Sequence, residues 1–587
     1  MMTNINQKKG LSRERLGLVA LGREYADICL HNCRIVDLTS SKIIDGDIAI
    51  KDGLIAAIGG GFKAKEEIDC NGGYICPSFI DAHIHIESTL LTPLEFSKAV
   101  VPHGTGAVVA DPHEIANCNG LDGIYYMIET TKGLPIDFYF TAPSCVPATR
   151  LETSGARLGP GEIEKILRME RVVALGELMN FPGVIEGDEE VWQKIKLAHR
   201  LSVPIDGHAP KVTGNRLCAY VGAGIDSDHE CTEVGEAEEK LSLGMYLYLR
   251  EGTTEKNLKE LLPVVTSSNA HRCCIVSDDR HPYDLIRDGH LDHMLNIAVK
   301  EGLDPFRALS MVTINPALRY GIKGKGLVAP GFFADLVMLK DLEDFCVEWT
   351  MYRGDMVYQN GQLKKALFEV LETPWIRAKE EVKTPLKVDI SSLDFVVPLK
   401  GKKIRVIGIV EGQIITQHLI MDVKGRNGEA ISDSKRDILK IAVVERHGKN
   451  GNVGIGFVHG FGLKEGAIAS TVAHDSHNLI VTGVDDRSMK RAVAALVDSG
   501  GGLCVTRGEE VLAHLPLPVA GLMTSKPVEE VAKALSDLMF QSQAIGANIE
   551  NPFMALSFLA LPVIPHLKIT DMGLVDVDLF EIVPLFI

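Results

Sequence analysis

Residues 74–319 are expected to form a (β/α)8 TIM-type barrel. A small β-sandwich domain built from both sides of it should flank the barrel, and a C-terminal α/β domain should follow. Three observations lead there. Eight short apolar segments alternate with helical patterns, β-rich segments bracket that stretch, and polar residues of metal-binding type end the apolar runs.

The chain has 587 residues, more than one core organises, so several domains are expected. Residues 1–25 mix charges with scattered Leu and Val and lack the apolar block of a signal peptide, so they read as a leading helix. Residues 26–73 alternate as short strands, ADICLHNCRIVD then GDIAIKDGLIAAIG, with Lys51-Asp52-Gly53 as a hairpin turn. The barrel strands are expected within 74–86, 106–114, 137–147, 171–179, 203–210, 224–230, 245–252 and 273–279. Short β segments return in GLVAPGFFADLVML and DMVYQNGQ, so residues 320–368 would complete the sheet begun at Ala26. The charged, Pro-containing ETPWIRAKEEVKTP marks a boundary near 370–390. Residues 385–587 then carry their own strands and helices, among them KIRVIGIV and VEEVAKALSDLMFQSQAIG.

Formal charge is −17 and no basic cluster occurs, which argues against a nucleic-acid partner. No run of 18 apolar residues is present, so no membrane span is expected. The 12 Cys form no C-x-x-C pair, and Cys273 and Cys274 sit inside an apolar stretch, which fits a reducing cytoplasm. A small-molecule substrate and a homo-oligomeric assembly are the expected partners.

The strongest chemical signal is FIDAHIHIE. His83 and His85 lie two apart on a strand, so both rings face the same side at its end. Glu177, His208, His229 and Asp278 end the fourth, fifth, sixth and eighth segments. Four His and two carboxylates at five strand ends form a set that chance rarely assembles, although any one alone reads as structural. Imidazole and carboxylate without thiolate suit Zn(2+), Fe(2+) or Mn(2+). Weaker candidates surround them. Glu87 follows His85 by two residues, and Asp111, His113 and Glu114 stand at the second strand's end. Asp279, Arg280 and His281 follow Asp278, the last two as loop anchors. In the last domain AHDSHN carries His474, Asp475 and His477, read as a lid over the barrel mouth more readily than as a further metal site.

This pattern resembles the amidohydrolase superfamily. More narrowly, PSFIDAHIHIESTLL, GTGAVVADPHEIANCNG, DSDHE, SDDRHP and KGLVAPGFFADLVML are similar to the adenine deaminase family. GFGLKEGAIASTVAHDSHNLIVTG and DMGLVDVDLFEIVPL look like that family's C-terminal domain, so the likeness spans nearly the whole chain. It implies two divalent ions, Mn(2+) or Fe(2+) before Zn(2+). One would be held by His83, His85 and Asp278 and the other by His208 and His229, with Glu177 bridging. It also implies hydrolysis of adenine to hypoxanthine and ammonia, in purine salvage. Many relatives in the superfamily bridge with a carboxylated Lys, which the fourth strand lacks. Mononuclear deaminases place a Glu near the fifth-strand His, and DGHAPK has none. Asp278 is therefore the expected acid/base group, with Glu177 sharing in proton transfer; Glu87, Asp111, His113, His474 and His477 would line the substrate. A different aminopurine deaminase, a cyclic amide hydrolase on the same scaffold, and a dead scaffold are the competing readings.

Overall fold

A computed structural model describes residues 13–368, 386–410 and 413–587. The leading helix is Arg13–Ala20, which packs Leu16 and Val19 against the first sheet. Residues 1–12, and most of the stretch expected to mark a boundary near 370–390, lie outside the described residues. Among the described residues no helix is long and apolar enough to cross a membrane.

Five strands open the chain: β1 Ala26–Asp37, β2 Lys42–Lys51, β3 Leu54–Gly59, β4 Ala64–Asp69 and β5 Tyr74–Pro77. The β2–β3 hairpin turns on Asp52 and Gly53, both at positive φ (51° and 78°), the geometry a two-residue hairpin turn requires. Glycine is also needed sterically, because a Cβ at position 53 would stand 2.9 Å from the Arg353 carbonyl oxygen.

Eight parallel strands follow. β6 Phe79–Ile84, β7 Thr105–Ala110, β8 Asp137–Pro143, β9 Val172–Leu178 and β10 Ile205–Gly207 form one sheet in chain order. β11 Ser227–Asp228, β12 Tyr246–Arg250 and β13 Cys273–Val276 form another. The two sheets meet at β6, where Asp278 N donates to His83 O (3.1 Å) and His85 N to Asp278 O (3.4 Å). At the other side Asp226 N donates to Ile205 O (3.3 Å). Every residue of β6, β7 and β13 is buried, as expected of parallel strands covered on both faces.

The chain then returns to the first sheet through β14 Leu336–Leu339, β15 Val347–Tyr352, β16 Asp355–Gln359 and β17 Gln362–Leu363. The order is β17-β16-β15-β14-β5-β1-β2-β3, with β4 on β1, so both flanks of the parallel strands build it. One expectation changes here. Tyr74–Pro77 does not open the first parallel strand; it pairs antiparallel with β14, and the parallel sheet starts at Phe79. Pro77 has no N–H with which to extend a ladder, and Ser78 N turns to Asp335 O (2.9 Å). The nine strands of the region expected as a sandwich join into one hydrogen-bonded network. β1 pairs with β4 through its first half and with β5 through its second, around a bulge between Leu30 and Cys33.

The largest sheet of the C-terminal region has eight strands. In spatial order they are Thr416–Asp422, Lys403–Ile409, Val453–His459, Ile438–Val444, Leu479–Gly483, Ala467–Ser470, Gly502–Arg507 and Glu510–Pro516. All neighbours are antiparallel except one pair, so this region is mixed but does not repeat strand–helix–strand units. The helix Val528–Ala544 falls within VEEVAKALSDLMFQSQAIG, and a second helix spans Asp486–Ser499. Backbone bonds fasten this region to the loops after β6 and β8: Thr524 N reaches Leu90 O (2.9 Å), and Thr153 N reaches Asp571 Oδ1 (2.8 Å).

Candidate active site

The C-terminal ends of the parallel strands bring the six strand-end residues into one buried cluster. Asp81, fully buried inside β6, accepts from the backbone N–H of His83 (3.2 Å) and Ser277 (3.3 Å), which ties β6 to β13 just below the cluster. His85 Nε2 lies 3.4 Å from Glu177 Oε1 and 3.2 Å from Asp278 Oδ1. His83 Nε2 lies 3.5 Å from the same Asp278 oxygen. Across the cluster Glu177 Oε2 faces His208 Nδ1 (2.8 Å) and His229 Nε2 (3.0 Å), and the His83 and His229 rings stack at 4.1 Å. Three overlapping sets, His83–His229–Asp278, His83–His85–Glu177 and Glu177–His208–His229, converge closely enough to hold cations.

The donor set suits divalent ions. His85 Nδ1 donates to the Asp111 carbonyl (3.1 Å), which leaves the Nε2 lone pair pointing at two carboxylate oxygens. Nε2 of His83 and of His208 is buried without a hydrogen-bond partner in the protein. A proton relieves part of this convergence. Burial works against a charged His85 ring, but bonding to Asp278 and Glu177 outweighs it and pushes the pKa well above that of free histidine. In the same way Glu177 overcomes burial at His229 and raises it to about 9. Burial opposes charge on Glu177 and Asp278 too, yet His229 and His208 hold the first, and His83 and His85 the second, well below the usual carboxylate range. Protons and divalent cations compete for such lone pairs.

Two residues that the strand-end pattern did not single out complete the floor. Arg250 Nη1 bonds Asp278 Oδ2 (2.8 Å) and Glu230 Oε1, and Arg250 Nη2 bonds Glu230 Oε2 (3.0 Å). Both are buried. Glu230 directly follows His229, and that adjacency was its only sequence signal. Arg250 ends β12, the one strand for which no ligand was expected among the last three.

The weaker candidates separate into two groups. His113 and His474 line the cavity over the cluster, together with Asp279, Asp475, Glu255 and Phe558. His113 stands 3.6 Å from both Glu177 Oε1 and Asp475 Oδ1, and His474 stacks on Phe558 at 4.8 Å. Glu87, Asp111 and His477 are not cavity walls. Glu87 accepts from Ile115 N (3.2 Å) at the start of the helix His113–Thr130. Asp111 supports His85 through its carbonyl. His477 Nδ1 accepts from Ala473 N (3.2 Å), which leaves the proton on Nε2, 3.4 Å from Glu114 Oε2. Nε2 thus faces a carboxylate at ion-pair distance, and His477, His474 and Glu114 form another buried set close enough to hold a cation. Arg280 and His281 act as loop anchors, bonding Glu251 O (2.9 Å) and Thr253 Oγ1 (2.8 Å).

The cavity measures about 40 Å³, room for a few waters and far below an ordinary ligand pocket. Glu255 and Ile414 line this cavity and also two larger ones of about 580 and 850 Å³.

Comparison with known proteins places these residues in context. Residues 74–357 match the amidohydrolase family, and residues 413–581 match the adenine deaminase C-terminal domain. The chain is 47% identical to adenine deaminase of Desulfatibacillum aliphaticivorans, over 97% of this chain and 98% of the relative. It is 46% identical to adenine deaminase of Syntrophobacter fumaroxidans, over 97% of each. Among solved structures, a β-aspartyl dipeptidase from Fervidobacterium islandicum aligns with 57% of this chain and 98% of its own, at 15% identity and a TM-score of 0.45.

Proposed function

Because this chain belongs to the adenine deaminase family within the amidohydrolases, we propose that its buried cluster hydrolyses adenine to hypoxanthine and ammonia. The carrying observation is the convergence of His83, His85, Glu177, His208, His229 and Asp278 with unpartnered lone pairs, in a chain similar to those relatives along almost its full length. The eight parallel strands are read as a (β/α)8 barrel with its site at the C-terminal edge. Residues 26–73 and 320–368 are read as one split domain, and residues 385–587 as a third that covers the site.

His83, His85 and Asp278 would hold one divalent ion and His208 with His229 a second, with Glu177 between them. When bound, such ions act as Lewis acids and bring water to an acidity near neutrality. The chain's own groups do the rest. Arg250 holds Asp278 by Oδ2, so Oδ1, which faces His83 and His85, is the oxygen left to take a proton and return it to a ring nitrogen or to departing ammonia. Phe558 fixes the plane of His474, and that ring forms a flat wall suited to a planar base. His113 and Asp475 offer polar atoms beside it, and burial excludes bulk water.

The test is ammonia release by Mn(2+)- or Fe(2+)-reconstituted protein supplied with adenine, adenosine, guanine and cytosine. Adenine should react well and adenosine poorly, because a ribose at N9 needs room that a base-specific pocket lacks. Comparable kcat/KM for the two would refute the base-specific site.

A further inference from the structure

A second cluster of ligating side chains lies in the nine-stranded sheet and shares no residue with the site above. Cys29 and His31 stand on β1, and Asp47 stands on the adjacent β2. The β1 bulge between Leu30 and Cys33, with Asn32 in the left-handed region (φ 54°), re-aims His31 toward β2. Asn32 N holds Asp47 Oδ1 at 3.3 Å, which leaves Oδ2 facing the histidine. His31 Nδ1 then sits 3.1 Å from Asp47 Oδ2 and 3.8 Å from Cys29 Sγ.

Those separations are the edges of a metal tetrahedron. Zinc bond lengths for thiolate, imidazole and carboxylate give ~3.5 Å between sulfur and nitrogen and ~3.3 Å between nitrogen and oxygen. The observed edges agree within a few tenths of an ångström. Among the described residues the thiol's other polar contact is the Leu30 carbonyl at 4.0 Å, outside good hydrogen-bond range. His31 Nε2 is buried without a hydrogen-bond partner and lies 4.0 Å from Glu67 Oε2. A ring ligating through Nδ1 carries its proton on Nε2, and a carboxylate beyond it is the usual outer support. The His31 and Asp47 side chains remain 28% and 21% exposed, so an ion has a path in.

The geometry points to a zinc site at Cys29, His31 and Asp47, with water as the fourth ligand. Thiolate among the donors favours Zn(2+) over the Mn(2+) or Fe(2+) that suit the all-nitrogen-and-oxygen cluster. Burial, with the Asp47 and Glu67 charges beside it, pushes the Cys29 thiol up to about 12, so the ion must displace a proton as it binds. Its effect would be to lock the β1 bulge against β2.

Cobalt(II) separates this site from the other, because none of the six catalytic candidates is a cysteine. Full-length Mn(2+)-loaded protein titrated with Co(2+) should develop a near-ultraviolet thiolate-to-cobalt charge-transfer band. The band should saturate near one equivalent per chain and be abolished by Zn(2+). Cys29→Ser should remove the band while ammonia release from adenine stays unchanged. His31→Gln and Asp47→Asn keep the thiol and should weaken Co(2+) binding at least ~10-fold, which keeps the test decisive if the serine variant fails to fold. No band in the wild type, or an equal band in Cys29→Ser, would overturn the assignment.

Discussion

Asp278 holds a left-handed backbone conformation, φ 55°, uncommon for a non-glycine residue and held in place by its surroundings. Those surroundings are backbone bonds to His83 and His85 on one side and the Arg250 guanidinium on the other. Asp278→Asn should lower kcat by ~10²–10⁴-fold, the range of a general acid–base group, as read from steady-state kinetics at measured metal content. An active variant with normal metal content would move the proton to another route. Lys568 is a second residue whose surroundings decide its behaviour. It is fully buried, and Nζ donates to the carbonyls of Ile414 (2.7 Å) and Phe558 (3.0 Å), two residues of the cavity wall. Burial lowers its pKa to about 7. The unfolded chain therefore binds more protons than the folded one between pH ~7 and ~10.4, and stability rises with pH across that window. Relative to Lys568→Met, the wild type should gain up to ~1.4 kcal/mol per pH unit there, measured by denaturant unfolding at several pH values.

At the scale of elements, the segment 471–478 joins the C-terminal sheet to the parallel strands. Asn478 Nδ2 bonds Thr153 O (2.8 Å), Ser476 Oγ bonds Glu152, and His474 reaches the cavity. Changing His474 and His477 together to Ala should raise KM or lower kcat while both catalytic ions stay bound. Kinetics, metal content and melting of the double variant decide; unchanged kinetics with a lower Tm would make the segment structural only. Glu152 gives the same contact a pH signature. Burial, reinforced by the Asp475 charge, raises its pKa to about 8, so the folded chain holds an extra proton between pH ~4.3 and 8. Its stabilisation is complete below the lower value and disappears as pH rises toward the upper one. The wild type should thus lose stability relative to Glu152→Gln between pH 5 and 8, and melting curves that stay parallel would refute the protonated contact.

For the whole molecule, a net charge of −17 coexists with buried carboxylates gathered around one cavity. Glu177, Asp278, Glu230, Asp475 and Asp279 stand there with Arg250 as the one permanently cationic side chain in the wall. Chelation of the catalytic ions should therefore lower Tm as well as activity, and Mn(2+) should restore both. Elemental analysis should find close to two ions per chain in the Mn(2+)-reconstituted protein before any Zn(2+) or Co(2+) is added. Full activity at one ion per chain would remove the dinuclear proposal and leave Glu177 as a support for its neighbours.

Residue order alone decided the elements and most of the cluster. Apolar runs of strand length place His83, Glu177, His208, His229 and Asp278 at their ends. A side-chain period of two puts His83 and His85 on one side, and Asp52-Gly53 can turn only one way. These are local consequences of backbone geometry, so they are legible without partners. Contacts between distant segments were decided only by the tertiary structure. Pro77 ended one ladder, and β14 then drew Tyr74–Pro77 into the outer sheet. Arg250 found Asp278, 28 residues away, and Phe558 found His474. His477, expected at the cavity, turned instead to Glu114 because the Ala473 N–H took its other ring nitrogen. Which tautomer a ring adopts and which carboxylate it meets depend on the packing of loops against one another, and no period in the chain encodes that.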